Sequence, residues 1–360
     1  MLGEPVDYNG RGRAPNRLAL APMTNCQSHD DGTLAEAERA WLESRARDGY
    51  GTIITAACYV SREGRGFPSQ IGCSDDAHIP GLTDLAEAGR AGGGLAVLQL
   101  HHAGLMIPPG LNAETALAPS PMEGNREGNS DIRAMEEADI RRVIAAFAEG
   151  AARARRAGFD GVEIHGAHGY LPAAFLSPRT NRRDDAWGGD PERRRRFTRE
   201  IITAVRHAMG DGIVGLRLSP EGWGLDHHEM MAAAEAFQGE GIDYLHLSLW
   251  DYAKQPKREP EAPRPLLESF ARLKRPGIPM MAAGGILQGA DATRVLEMGA
   301  DIAAVGSAAL VRDDWATRVL ADPAFTMAKP PYPRDTFRAA GLTEGFIDYI
   351  ANLPMGLVAD

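Results

Sequence analysis

Cysteine is scarce in this chain: three residues in 360, at positions 26, 58 and 73. No two of them form a C-x-x-C pair, which argues against a disulfide framework, a structural zinc site and a cysteine-ligated iron–sulfur cluster. Long apolar runs are missing too. No window approaches the roughly 20 residues that span a bilayer, and the opening segment, MLGEPVDYNGRGRAPNR, has no signal-peptide core. A cytoplasmic location is the default expectation. Basic residues are outnumbered, 39 against 49 acidic, for a formal net charge of −10. Neither a nucleic acid nor an anionic membrane is therefore an expected partner, since each needs a basic face. The one basic run, Arg193 to Arg196, falls inside a helical pattern and reads as a solvated helix face. Also lacking is a G-x-G-x-x-G after an early strand, so the dinucleotide fingerprint is absent.

What the chain has is apolar content, 44%, arranged in a cadence. Short apolar runs at 18–23, 52–60, 95–100, 159–165, 213–219, 244–249, 279–285 and 302–306 read as strands. Between most of them lie helix-period segments. One runs 139–157 with Ile140, Val143, Ile144, Phe147 and Ala151 on one face, and another 192–209 with Phe197, Ile201, Ile202 and Val205 inward. A third, 291–298, has Asp291 as its expected cap. Eight such units predict an α/β fold, a (β/α)8 TIM barrel forming one domain over 1–360; an open parallel sheet is the alternative. Two stretches break the cadence. Residues 103–138 follow strand three and residues 251–265 follow strand six, and both read as loops capping the cleft.

In such a barrel, polar residues near the C-terminal ends of strands are the candidates for chemistry. Thr24, Gln99, His165, His168 and Arg217 occupy such places. The turns AAGGI (282–286) and AVGSAAL (304–310) put glycine where strands seven and eight pass into helices, a frequent phosphate site. His165 and His168 raise the possibility of a metal, but Asp226, His227 and His228 are the only further ligands in sight, and Asp226 reads as a helix cap. No strand-borne ligand completes a set, so a metal is disfavoured. Two neutral imidazoles can instead donate to one oxygen and polarise a carbonyl or nitro group. Tyr170, with an ordinary pKa of about 10, is a proton donor at neutral pH. A phosphate-bearing cofactor, an oxygen clamp and a proton donor together suggest flavin-mediated reduction of an activated double bond.

The motifs APMT (21–24), QLHHAG (99–104), GVEIHGAHGYL (161–171), FLSPRTNRRDDAWGGDPERR (175–194), RLS (217–219) and the two glycine turns resemble those of the old yellow enzyme family of FMN-dependent ene-reductases, over essentially the whole chain. The resemblance implies FMN as cofactor and NADH or NADPH as hydride donor. It implies that Pro22, Met23, Thr24 and Ala57 line the flavin, that Gln99, His165 and Arg217 lie at its polar edge, and that Gly284, Gly285, Gly306 and Ser307 hold the phosphate. It further implies that His165 and His168 bind the substrate oxygen, beside Cys26, and that Tyr170 protonates Cα after hydride reaches Cβ of an enone, enal or nitroalkene. Members of the family are commonly dimers or tetramers. Three departures stand out. Ser307 replaces an arginine that usually reaches the phosphate; Leu105 replaces the arginine common after HAG; Cys26 and Thr24 stand where some relatives carry a tyrosine and a redox-tuning cysteine. A related oxidative dehydrogenase or demethylase, or a flavin binder that has lost activity, is the alternative. The segment NRRDDAWGG is expected to serve folding.

Overall fold

The computed structural model describes residues 1–125, 128–259 and 264–359. Eight parallel strands close into a barrel in chain order: β1 Leu18–Leu20, β2 Thr52–Tyr59, β3 Leu95–His101, β4 Gly161–Gly166, β5 Ile213–Leu218, β6 Tyr244–Ser248, β7 Met280–Ala283 and β8 Ile302–Val305, with β8 pairing back to β1. Each overlaps one of the expected runs, β3 and β4 ending one residue beyond theirs, because a strand buried on both faces reads as a continuous apolar stretch. The ends differ. β1 stops at Leu20, short of the expected 23; Pro22 has no N–H to offer a ladder. β7 stops at Ala283 because Gly284 and Gly285 turn to φ of +148° and +71°. A Cβ on Gly284 would meet the Trp250 carbonyl carbon and the Asp251 nitrogen at 2.9 Å. Only glycine lets the chain after β6 lie there.

The outer helices follow the predicted faces. α1 is Glu36–Arg47, α2 Ile79–Gly89, α3 Glu137–Arg156, α4 Pro191–Met209, α5 His227–Gln238, α6 Leu266–Ala271, α7 Gly289–Glu297 and α8 Trp315–Ala321. Ile140, Val143, Phe147 and Ala151 of α3 are buried, as are Phe197, Ile201, Ile202 and Val205 of α4. The cap of α7 is Gln288, three residues before the expected Asp291; Asp291 sits at the third helical position and returns its carboxylate to the Gln288 amide, the reciprocal half of a capping box. The basic run on α4 also needs correction. Arg194 is buried, donating to the Leu176 and Gly189 carbonyls at 3.0 and 2.8 Å and to Glu229 at 2.6 Å.

Some elements gave no sequence signal. A short antiparallel pair, Val6–Asp7 with Arg13–Ala14, closes the N-terminal end of the barrel. Its Tyr8 enters the lumen, edge-on to Tyr244 at 5.3 Å and hydrogen-bonded to Thr52 at 2.7 Å. The excursion after β3 contains a parallel pair, Ala116–Ala118 with Ile132–Ala134. Leu105, a departure from the family pattern, is buried beneath it against Ala118 and Ala174 and packs the excursion down. NRRDDAWGG does serve the fold: Asn181 donates to the Phe175 and Trp187 carbonyls, and Arg183 to the Pro119 and Met135 carbonyls. Among the described residues, no helix is long and apolar enough to cross a membrane.

Candidate active site

Strand register decides which side chains share the lumen. Ala57 pairs with Gln99 and Gln99 with Glu163; His165 pairs with Arg217 and Arg217 with His246. Between Ile54 and Ala57 a bulge shifts β2, and the Thr55 hydroxyl takes the Gln99 amide at 3.2 Å in place of a ladder bond. Glu163, fully buried, gathers three donors: the Gln99 amide at 2.7 Å, the Tyr244 hydroxyl at 3.0 Å and His246 Nδ1 at 2.8 Å. Gly215 makes this possible, since any Cβ there would strike the Tyr244 ring.

Burial works to raise the Glu163 carboxyl pKa, but His246, the Arg217 charge and the Gln99 bond outweigh it and hold the group ionised. Burial pushes His246 and Arg217 down. We read His246 as a neutral ring donating from Nδ1 and Arg217 as the counter-charge. Arg217 also donates to the Pro22 carbonyl at 3.4 Å and to the Ser248 hydroxyl at 3.2 Å, while its Nε has no partner among the described residues.

Above this layer lies a ring cluster. His165 is 4.9 Å from Tyr170, 5.1 Å from His168 and 5.6 Å from His101, centroid to centroid; His101 meets Tyr170 edge-on at 4.3 Å. The Ala167 amide points at His165 Nδ1 at 3.4 Å, and the Gln70 amide donates to His101 Nδ1 at 3.1 Å. Both contacts make Nδ1 the acceptor and place the ring proton on Nε2. His168 Nε2 is 2.7 Å from the Ser248 hydroxyl, which links it to Arg217. His168, Trp223 and Trp250 are adjacent rings after three successive strands, and all have positive φ, at +58°, +51° and +65°. Such backbone is costly for non-glycine residues and concentrates at functional sites.

Burial holds His165 and His168 well below the ordinary histidine pKa and puts His101 at about 3. The unfolded chain binds those protons near pH 6.5, so it gains protons first as pH falls. Stability is full above about pH 6.5 and declines below it by about 1.4 kcal/mol per pH unit for each such residue. Urea midpoints between pH 7.5 and 5 are expected to drop steeply, and less steeply for His101→Gln. An unchanged slope in that variant would show that His101 does not titrate on unfolding.

The remaining expected residues lie around this mouth. Met23 sits at Gly306, its Sδ 3.4 Å from where a Cβ would be, and the Ala57 carbonyl accepts from Gln70 at 2.8 Å. Thr24 and Cys26 are partly exposed on the loop after β1, Cys26 at φ +51° with its thiol pushed up to about 11 by burial and the Glu38 charge. Cys26 is thus not the small buried residue that free cysteine usually is. Ser307 begins a five-residue helix, Ser307–Val311. Sequence reasoning missed Glu163, His101, His246, Ser248 and Gln70. A signal existed for four of them: Gln99 and His101, Glu163 and His165, and Tyr244, His246 and Ser248 are each two apart along strands and buried at those positions, the spacing of one face.

An arginine with a spare buried N–H, glycine turns after β7 and β8, and a loop over β1 that approaches Gly306 fit an anionic, planar, phosphate-bearing group. Residues 4–322 match the profile of the NADH:flavin oxidoreductase / NADH oxidase family. The chain belongs to this family, that of old yellow enzyme. It is 38% identical over 327 residues to a probable NADH-dependent flavin oxidoreductase of Bacillus subtilis, covering 88% of this chain and 87% of that one. The NADH:fumarate oxidoreductase of Klebsiella pneumoniae is 38% identical over 318 residues, 85% of this chain but 34% of its own length, so this chain spans about a third of that relative. Among solved structures, morphinone reductase superposes with a TM-score of 0.77 at 30% identity over 93% of both chains. The old yellow enzyme homologue from Zymomonas mobilis gives 0.80 at 26%, over 93% of this chain and 96% of that one. As in the family, the cofactor is FMN and the hydride donor NADH or NADPH.

Proposed function

We propose that this flavin oxidoreductase reduces C=C bonds conjugated to a carbonyl or nitro group. The observation that carries the reading is the tautomer of His165: with Nδ1 facing the Ala167 amide, its Nε2–H is a neutral donor 4.9 Å, ring to ring, from Tyr170. A neutral donor polarises an acceptor oxygen without giving up its proton. When bound, FMN supplies hydride drawn from the nicotinamide. The chain's own residues do the rest. His165 and His168 bind the substrate oxygen, His168 through Nδ1–H when the Ser248 hydroxyl donates to its Nε2. Tyr170 delivers the proton to Cα. Arg217 and Gln99 would hold the polar edge of the flavin, where a guanidinium favours negative charge, and Pro22, Met23, Thr24 and Ala57 would line it. Gly284, Gly285, Gly306 and Ser307 would hold the phosphate through backbone N–H groups, which a hydroxyl at 307 assists less than a guanidinium. Cys26 faces the substrate from the β1 loop. Two relatives are named for fumarate and acrylate, which have a C=C conjugated to a carboxyl group, in keeping with this acceptor class.

The test is a single turnover without oxygen. FMN-loaded protein bleached with NADH is mixed with cyclohexenone, and the flavin absorbance is expected to return with formation of cyclohexanone. Reoxidation by dioxygen alone, with the enone inert, would overturn the reading.

A further inference from the structure

Outside the cleft, the chain after β6 meets the start of α5. Asp226 caps that helix, its Oδ1 accepting from the His228 and Glu229 amides at 3.0 and 3.3 Å, which holds His227 and His228 in its first turn. The two imidazoles lie 4.0 Å apart with planes 37° from parallel, so they present their edges to the same side. Glu259 arrives on that side. Its Oε1 is 2.8 Å from His228 Nε2 and its Oε2 3.9 Å from His227 Nε2; the three ligand atoms lie within 4.8 Å of one another.

A hydrogen bond accounts for only part of this arrangement. The contact to His228 is one, but 3.9 Å is too long for a second. His227 is buried, and its Nε2 stands 3.9 Å from the Glu259 carboxylate. A proton on one imidazole cannot join all three groups, whereas an ion of charge +2 can. We propose that His227 Nε2, His228 Nε2 and the Glu259 carboxylate form a site for a divalent transition ion of the zinc, nickel or copper kind, with water in the remaining positions. Two imidazole nitrogens and one carboxylate suit those ions, whereas magnesium and calcium ask for oxygen throughout. Metal–nitrogen distances of about 2.0–2.1 Å require the ligands to close in by roughly 1 Å. The His228 and Glu259 side chains are 65% and 50% exposed and free to swing, and the buried His227 is the fixed point. The carboxylates of Glu259 and Asp226 offset the positive end of the α5 dipole.

The ion would add a bond to a segment already tied down by Lys254 to Glu221 at 2.7 Å, the Lys257 amide to Glu221 at 2.8 Å and Arg258 to Asp226 at 3.2 Å. That segment begins at Trp250, 53% exposed and against His168, so the site braces one wall of the cleft. Calorimetric titration of the EDTA-treated, FMN-loaded protein with zinc chloride is expected to show one equivalent bound per chain. His228→Ala and Glu259→Gln, both at exposed positions, should each weaken binding by at least about tenfold, the lower end of what even outer-shell partners cost. His207→Ala, exposed on α4, should leave it unchanged. Absence of zinc binding, or binding that survives in both variants, overturns the proposal.

Discussion

Tyr170→Phe is expected to slow alkene reduction by a factor on the order of 10² to 10⁴, the usual contribution of a positioned general acid. Reduction of the flavin by NADH should hardly change. The substitution keeps the ring and its packing. The ring lies against Ala103, Ile107 and Ala116 beneath the β3 excursion and edge-on to His101 and His165. The Tyr170 amide donates to the Ala167 carbonyl at 3.2 Å, and the residue caps the short helix Leu171–Leu176 through its backbone. All of this survives in phenylalanine. Stopped-flow spectroscopy of each half-reaction separates the cases: equal loss in both would assign Tyr170 to holding the cofactor and remove it as proton donor.

The second large effect concerns stability. Glu163→Leu should cost about 3–5 kcal/mol, because it leaves three buried donors without their acceptor, each at about 1–3 kcal/mol. The deletion also removes the carboxylate charge that offsets the buried Arg217, and it strands the donors of Gln99, Tyr244 and His246. Glu163→Gln should cost less. Its amide oxygen still accepts, and the Tyr244 hydroxyl can rotate to accept from the new amide. His246 can move its proton to Nε2, which has no partner among the described residues. The pH dependence has a definite sign. The folded-state pKa of Glu163 is depressed, so its contribution is complete above the ordinary carboxylate value of about 4.3 and is lost as pH falls through the folded value. Urea unfolding at pH 7 therefore reads the whole effect. Equal midpoints for wild type and Glu163→Leu would mean that the carboxylate does not compensate Arg217.

How much of this was legible beforehand depended on the range of the interaction. β4 is legible in the run 159–165 because both its faces are covered and each residue reports its own burial. His165, His168 and Tyr170 were singled out because they lie within six residues of one another, and a strand end followed by a tight turn brings such neighbours together whatever the rest of the chain does. Asp226 was recognised as a cap for the same reason: its bonds go to amides two and three residues on. Arg194 was misread as solvated because its partners, the carbonyls of 176 and 189 and Glu229, come from three separate segments.

Local pattern by itself determined the eight βα units, the glycine turns after β7 and β8, and the histidine–tyrosine cluster, since each is settled by chain geometry over a few residues. Tertiary structure alone decided that Glu163 faces Gln99, Tyr244 and His246, that Ser248 joins His168 to Arg217, and that Glu259 closes on His227 and His228. The reason is register. In a closed barrel, which inward residues share a layer is set by how adjacent strands stagger, and a shift of one residue would turn every side chain of a strand to its other face. Spacing along one strand carries the face of each residue but not its height against its neighbours. That height is fixed only when all eight strands close.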